Sequence, residues 1–301
     1  MKNLILTAAL IGASPAWALD VIPVTEGVYA LVGDLSQRSP ENLGNNATFG
    51  VVVTDEGVVL IDAGAGWKAA AEIDAAIDTI TDQPVRYVIN SGGQDHRWIG
   101  NSYWQAQGAV AIASVAAVGD HQARGSMEMT VLDALVGAEG LAGTTLSYAD
   151  VTFESTYTLS LGGIVLELFH MGQAHTPGDS YIYMPSTNVV FAGDIVYVER
   201  ILGVGDQSHS GSWIEVFDAM AALEPTWVVP GHGKPVPLSV ATADTFDYLT
   251  SLRAEMSVFI EEGGDIIGSV EVDQSAFSYL DNFEGLARRN AQQVFSEMEW
   301  E

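Results

Sequence analysis

NVVFAGD, residues 188–194, reads as an apolar strand that ends on an acidic residue beside glycine, and it has an echo. GVVLIDAG, residues 57–64, follows the same pattern far earlier in the chain. Each is followed, after a loop, by helical sequence. Strand-rich then helical order, twice over, predicts two similar halves packed sheet against sheet with helices outside.

The surrounding sequence fits that plan. VIPVTEGVYALVGD (21–34) and ATFGVVVT (47–54) read as strands, and a DEG turn (55–57) leads into GVVLIDAG. A helix follows, with Ile73, Ile77 and Ile80 on one face. RYVIN (86–90) and AVAIAS (109–114) read as further strands. The segment from Val115 to about Gly140 reads as mostly helical, with Gly119 and Gly125 as breaks. Strands resume at VTFES, YTLSL, IVLELFH and YIYMP, with Gly162-Gly163 as a hairpin signal. A helix from Ser212 to Leu223 leads to WVVP, a buried strand that ends at Gly231-His232-Gly233. The remainder, from about residue 238, reads as helices packed on the same domain.

With 301 residues the chain can bury a large core. Residues 1–18 have the form of a signal peptide: Lys2, a short apolar run from Leu4 to Ala13, and the small-x-small site Ala16-Trp17-Ala18. That predicts cleavage after Ala18, a mature domain over 19–301, and a periplasmic or secreted product with no membrane attachment once the signal is removed. There is no cysteine, so neither a disulfide nor a thiolate ligand is available. The formal charge of −28 disfavours nucleic acid and anionic lipid as partners. A small molecule is the expected substrate.

Four segments place metal-type ligands at the ends of predicted strands: QDH (94–96), HMGQAHTPGD (170–179), FAGD (191–194) and PGHG (230–233). A divalent cation wants imidazole nitrogens and carboxylate oxygens converging from separate loops, with one position left open. The segments offer His96, His175 and His232 with Asp95 and Asp194.

In LIDAG (60–64), QDH, AHTPGDS (174–180), VVFAGD (189–194) and VVPGHG (228–233), taken in this order, the chain resembles the metallo-β-lactamase superfamily over essentially its whole mature length. The resemblance implies an α+β fold, a four-layer αββα sandwich of two mixed sheets with outer helices. It also implies a site at one edge of the sheets that holds one or two zinc ions. The departure lies in VINSGGQDHRWIGN (88–101), where the family carries H-x-H-x-D-H. Pinning the flanking Asn90 and Asn101 puts Gly92, Gln94, His96 and Arg97 on the ligand positions. Pinning Asp95-His96 on the family's Asp-His pair needs a one-residue slip, which a loop accommodates at little thermodynamic cost. The second overlay recovers two ligands and is preferred. In both, the first two histidines are gone.

By the resemblance, one metal position keeps only His175, and the other keeps Asp95, His96, Asp194 and His232. The expectation is therefore one zinc, with Gln94 or Ser91 as weak helpers. Zinc lowers the pKa of a bound water to about 7 and polarises a carbonyl. Asp95 or Asp194 would orient that water and take its proton. His175 reads equally as a ligand or as a group that serves the oxyanion or leaving group, and Arg97 as a fixed charge in place of the absent metal. Asp62 resembles a buried residue that braces the site.

Plainer readings stand beside these. Asp95 suits a helix start, and Trp98, Tyr103 and Trp104 suit the core. His121 suits a surface helix, His170 packing, and His209 a polar loop. The leading reading is an exported zinc hydrolase that cleaves an ester, thioester, lactone or amide bond, a β-lactam included. The alternative is a non-catalytic metal- or ligand-binding accessory protein on the same scaffold. A redox member using iron would need the ligand set that this loop lacks.

Overall fold

The computed structural model describes residues 19–301, so the expected signal peptide lies outside the described residues. Among these, the strands form two mixed sheets. The first runs in chain order: β1 (Asp20–Thr25), β2 (Val28–Val32), β3 (Thr48–Thr54), β4 (Gly57–Ile61), β5 (Val85–Asn90), β6 (Val110–Ser114) and β7 (Val151–Phe153). β1 to β4 pair antiparallel, and β4 to β7 pair parallel through helical crossovers. The second comprises β8 (Thr156–Leu161), β9 (Ile164–Phe169), β10 (Tyr181–Met184), β11 (Val189–Tyr197) and β12 (Trp227–His232), in the spatial order β12-β11-β10-β9-β8. Only β11 and β12 are parallel in it.

The faces of each strand account for the layering. In β4, Val59 and Ile61 join a core shared with Leu168, Ile182 and Phe191 of the second sheet, while Val58 and Leu60 face the other way. Because side chains alternate, a strand covered on both faces reads as a continuous apolar run. That is why GVVLI and VVFAGD look alike. Gly50 in β3 lets the sheets meet here, since a Cβ would run into the Phe191 ring.

Outside the first sheet, the helix Trp67–Ile77 buries Ile73 and Ile77 against Val58, Leu60 and Val88. Each such side chain contributes about 1.5–3 kcal/mol. Outside the second, Trp213 and Phe217 of the helix Ser210–Ala221, Leu249 and Met256 of Asp247–Glu261, and Val294 of Phe283–Met298 cover β11 and β12. The architecture is the αββα sandwich.

The helix Val115–Gly140 does not break at Gly119 or Gly125; its backbone departs from helical geometry at Gly137. Gly125 serves packing instead, because a Cβ there would press on the Trp98 ring. No helix among the described residues is long and apolar enough to cross a membrane.

Candidate metal centre

The ends of β4, β5, β11 and β12 converge at one edge of the sandwich. Asp62, just past β4 at φ +71, accepts from Ser91 N at 2.7 Å and Ser91 Oγ at 2.9 Å. This ties the end of β4 to the loop after β5, the bracing expected of it. Asp194, within β11, and His232, at the end of β12, lie on neighbouring parallel strands. His96 arrives from the short helix Asp95–Trp98.

His96, Asp194 and His232 offer ligand atoms that all lie within 4.8 Å of one another, and all three are buried. His232 Nδ1 is 2.8 Å from the Asn46 carbonyl, which can only accept, so the proton sits on Nδ1. Its Nε2 is then a lone pair, and it faces Asp194 Oδ1 at 3.2 Å. Two acceptors set face to face need a cation between them. His96 Nε2 is buried with no hydrogen-bond partner, 3.6 Å from Asp194 Oδ2. Burial drives the His232 pKa well below its ordinary value, against the pull of Asp194, which keeps the ring a neutral ligand. An imidazole fixed by a carbonyl on its far nitrogen is the arrangement a metal ligand requires. The donor set fits a divalent cation.

Asp95 is not brought into this cluster. Arg38 donates to its Oδ1 from Nη2 at 2.6 Å and from Nε at 3.0 Å. Burial alone would raise the Asp95 pKa, but Arg38 and His96 outweigh it and hold the group below the usual carboxylate range. Asp95 Oδ1 and Arg38 Nη2 each lie 3.2 Å from His96 Nδ1, so the Arg38–Asp95 pair orients the ring of His96. Both overlays place His96 on a ligand position; the one pinned on Asp95-His96 also expects Asp95 there, and Asp95 is spent on Arg38.

His175 also stands apart. Its Nδ1 donates to the Gly203 carbonyl at 3.0 Å, and its Nε2 meets the Gln94 amide at 2.5 Å. Burial lowers its pKa, so the ring is neutral with its lone pair on Nε2. Gln94 then meets it with the NH2 end of an amide whose two ends are alike in shape. Ser91 spends its hydroxyl on Asp62. Gly92 and Gly93 offer no ligand atom, and a Cβ on Gly92 would run into the Asp179 carboxylate, one on Gly93 into that of Asp120.

Arg97 does not stand in for a metal. It is fully buried, and all five of its N–H groups are placed. Nε and Nη2 donate to Asp194 Oδ2 and Oδ1, Nη1 to Asp62 and the Thr48 carbonyl, and Nη2 also to the Gly231 carbonyl at 2.9 Å. Gly231 is glycine because a Cβ there would lie 2.6 Å from Arg97 Nη2. Burial opposes the charge, but Asp194 and Asp62 more than offset it and raise the Arg97 pKa.

The remaining histidines divide differently from their sequence reading. His121, expected on a surface, is fully buried and stacked on Trp98 with centroids 4.3 Å apart, and its Nε2 meets the Gly92 carbonyl at 3.0 Å. His170 Nδ1 bonds the Asp179 carbonyl at 2.8 Å. His209 caps the helix Ser210–Ala221. Trp98 and Trp104 are buried, as core residues.

A cavity of about 400 Å³ opens beside the cluster, lined by His232, His175, Gln94, Arg38, Arg200 and Arg289 among others. Sequence reasoning missed these three arginines. Arg38 lies in a loop with no motif, and Arg200 and Arg289 stand 89 residues apart.

A family model described as the metallo-beta-lactamase superfamily matches residues 43–232. A metallo-beta-lactamase type 2 from Bacteroides fragilis is 28% identical over 85 residues, which is 27% of this chain and 34% of that protein. The chain thus matches about a third of the length of that curated relative. Among solved structures, a metallo-beta-lactamase from Pontibacter korlensis superposes with a TM-score of 0.62 at 22% identity, over 77% of this chain and 99% of the other. The DIM-1 metallo-beta-lactamase exposed to ceftazidime gives 0.60 at 16% identity, over 77% and 96%. At these identities the structural likeness speaks to the fold.

Proposed function

Given that this chain belongs to the metallo-beta-lactamase superfamily, we propose that it is a metal-dependent hydrolase with one zinc ion held by His96, Asp194 and His232. Its substrate is a small molecule carrying an ester, thioester, lactone or amide bond, a β-lactam among them. The observation that carries the reading is the His232 Nε2 lone pair set against the Asp194 carboxylate with no proton between them, beside a buried His96 Nε2 that has no hydrogen-bond partner.

Zinc supplies Lewis acidity, which polarises a carbonyl oxygen and acidifies water. The chain's own residues do the rest. Arg97 fixes Asp194 through two parallel hydrogen bonds, so that carboxylate cannot rotate away from the two imidazoles. Asp95 acts through His96, holding its ring in orientation. His175, on the cavity wall, presents a neutral Nε2 lone pair, suited to take a proton from attacking water once Gln94 gives way. The same group, then protonated, serves the leaving atom. In either overlay the family's first two histidines are replaced, by Gly92 and Gln94 or by Ser91 and Gly93, which supports one ion.

Export to the periplasm belongs to this proposal through residues 1–18, the apolar run and small-x-small site that suit a cleaved signal.

The test is metal analysis of the purified mature chain, together with turnover on a panel of esters, thioesters, lactones and β-lactams. About one zinc per chain, with hydrolysis that chelation abolishes, is the expected result. Bound zinc without any turnover supports the accessory-protein alternative, and a chain that takes up no divalent metal sinks both.

A further inference from the structure

We propose that the cavity beside the cluster continues into an apolar subsite on the outer face of the helix Val115–Gly140, and that this subsite takes a medium-length acyl or alkyl tail. The proposal deepens the hydrolase reading and rests on it: among the bonds considered, it favours an ester, thioester or lactone of an apolar acid.

A surface helix normally turns its apolar side inward and its charges toward water. Part of this one is inverted. Between residues 123 and 138 its exposed side chains include Ala123, Met127, Val131, Ala134, Leu135 and Ala138. At about 100° per residue these six fall on one face, and the exposed Asp133 lies about 120° round from Met127. Met127, Val131 and Leu135, four residues apart and so neighbours on the helix surface, are 58%, 48% and 40% exposed. The charges are turned inward instead, where Arg124 pairs with the buried Asp120 and Glu128. Large apolar side chains in water above buried charges reverse the usual preference. A contiguous apolar stripe of this kind marks a surface that meets an apolar group.

The stripe reaches the cluster. Val131 lines the cavity together with His232, His175 and Gln94. Val204 and Leu286 give the same cavity further aliphatic wall. Leu286 comes from the helix Phe283–Met298, beyond the last residue matched by the family model. Asn290 bolts that helix to the loop that carries Val204, accepting from Val204 N and donating to the Leu202 carbonyl, both at 2.8 Å. The cavity is thus polar around the two histidines and aliphatic at Val131, Val204 and Leu286. A molecule that fills both parts has its reacting bond at the cluster and its tail on Val131. A volume of about 400 Å³ suits a small molecule. The stripe extends one turn to either side of Val131, so a tail longer than the cavity still finds apolar cover.

Charge decides between this occupant and a second copy of the chain. Each copy carries a formal charge of −28, so two stripes can meet only against the mutual repulsion of both surfaces. A neutral hydrocarbon tail meets no such opposition.

The experiment is calorimetric titration of the zinc-loaded protein with 1-butanol, 1-hexanol and 1-octanol, which are neutral and carry no hydrolysable bond. The variants are Val131→Gln, Leu286→Gln and, as a control, Val258→Gln, an exposed apolar residue of the helix Asp247–Glu261. Val131 is exposed, so its substitution leaves the fold intact. In the native protein each added methylene should tighten binding about two- to fourfold, the upper figure corresponding to full burial. 1-Octanol should bind about fivefold more weakly in Val131→Gln and about threefold more weakly in Leu286→Gln, with no change in Val258→Gln. 1-Octanol bound no more tightly than 1-butanol overturns the proposal. So does binding that Val131→Gln leaves unchanged or that Val258→Gln weakens equally. A native dimer in sedimentation velocity that Val131→Glu turns into monomers, with no alkanol bound, assigns the stripe to a second copy and also overturns it. Chain-length-dependent binding in a protein that hydrolyses nothing upholds the apolar subsite and removes the hydrolase. Hydrolysis of compact esters without any alkanol binding removes the subsite and leaves the hydrolase.

Discussion

Arg97 and Asp194 lie fork to fork: Nε reaches Oδ2 at 3.0 Å and Nη2 reaches Oδ1 at 2.7 Å, with neither side chain in contact with solvent. The same guanidinium reaches Asp62 at 2.8 Å, so one cation neutralises two buried carboxylates from two strands of different sheets. The pairing stiffens the carboxylate that the candidate metal would share.

Removing that cation should therefore unfold more than it disables. Arg97→Ala leaves Asp62 and Asp194 buried without a counter-charge, and breaking a buried pair in this way costs about 3–5 kcal/mol. Arg97→Lys should recover only part of this, since an ammonium cannot reproduce the fork. Urea unfolding midpoints measure both; a loss under about 1 kcal/mol for the alanine variant would contradict this role.

Zinc affinity should grade four candidate residues differently. His96→Ala and His232→Ala each remove one of three ligands and should bring the zinc content of the purified protein close to none. Asp95→Asn keeps the ligands but loosens the His96 ring, so affinity should fall by roughly 10–100-fold. His175→Ala should leave zinc in place. Competition with a chromogenic chelator reads all four. Zinc lost from His175→Ala, or untouched in His96→Ala, would assign the ligands differently.

Acid stability should carry the mark of His121. Burial lowers its pKa from 6.5 to about 4, so between those values the unfolded chain binds the proton that the folded one refuses. Its contribution is complete above pH 6.5 and is lost as the pH falls toward 4, with a ceiling of roughly 3 kcal/mol. Glu128 slopes the other way: burial, aided by Asp95, lifts it to about 7, so its contribution falls as the pH rises from 4.5 to 7. Comparing Tm against pH for the native protein and His121→Gln cancels the Glu128 contribution. The native curve should fall more steeply below pH 6.5; parallel curves would show that His121 does not titrate in this window.

The sequence by itself determined the fold. Continuous apolar runs such as GVVLI and VVFAGD are strands covered on both faces, and five ordered motifs leave one arrangement of them. It also determined that two histidines were gone, while the shared place of Asp194 and His232 was implied by the family resemblance and rests in the structure on the parallel pairing of β11 and β12. Only the tertiary structure decided between Asp95 and His96. Arg38, 57 residues earlier, claims the aspartate, and His96 alone of the pair lies with Asp194 and His232. It also decided that Arg97 is saturated, while Arg200 keeps one long hydrogen bond to the Ser36 carbonyl and, among the described residues, no carboxylate within pairing distance. A charge left without a partner is a relation among distant residues in space, and no local pattern of letters records it.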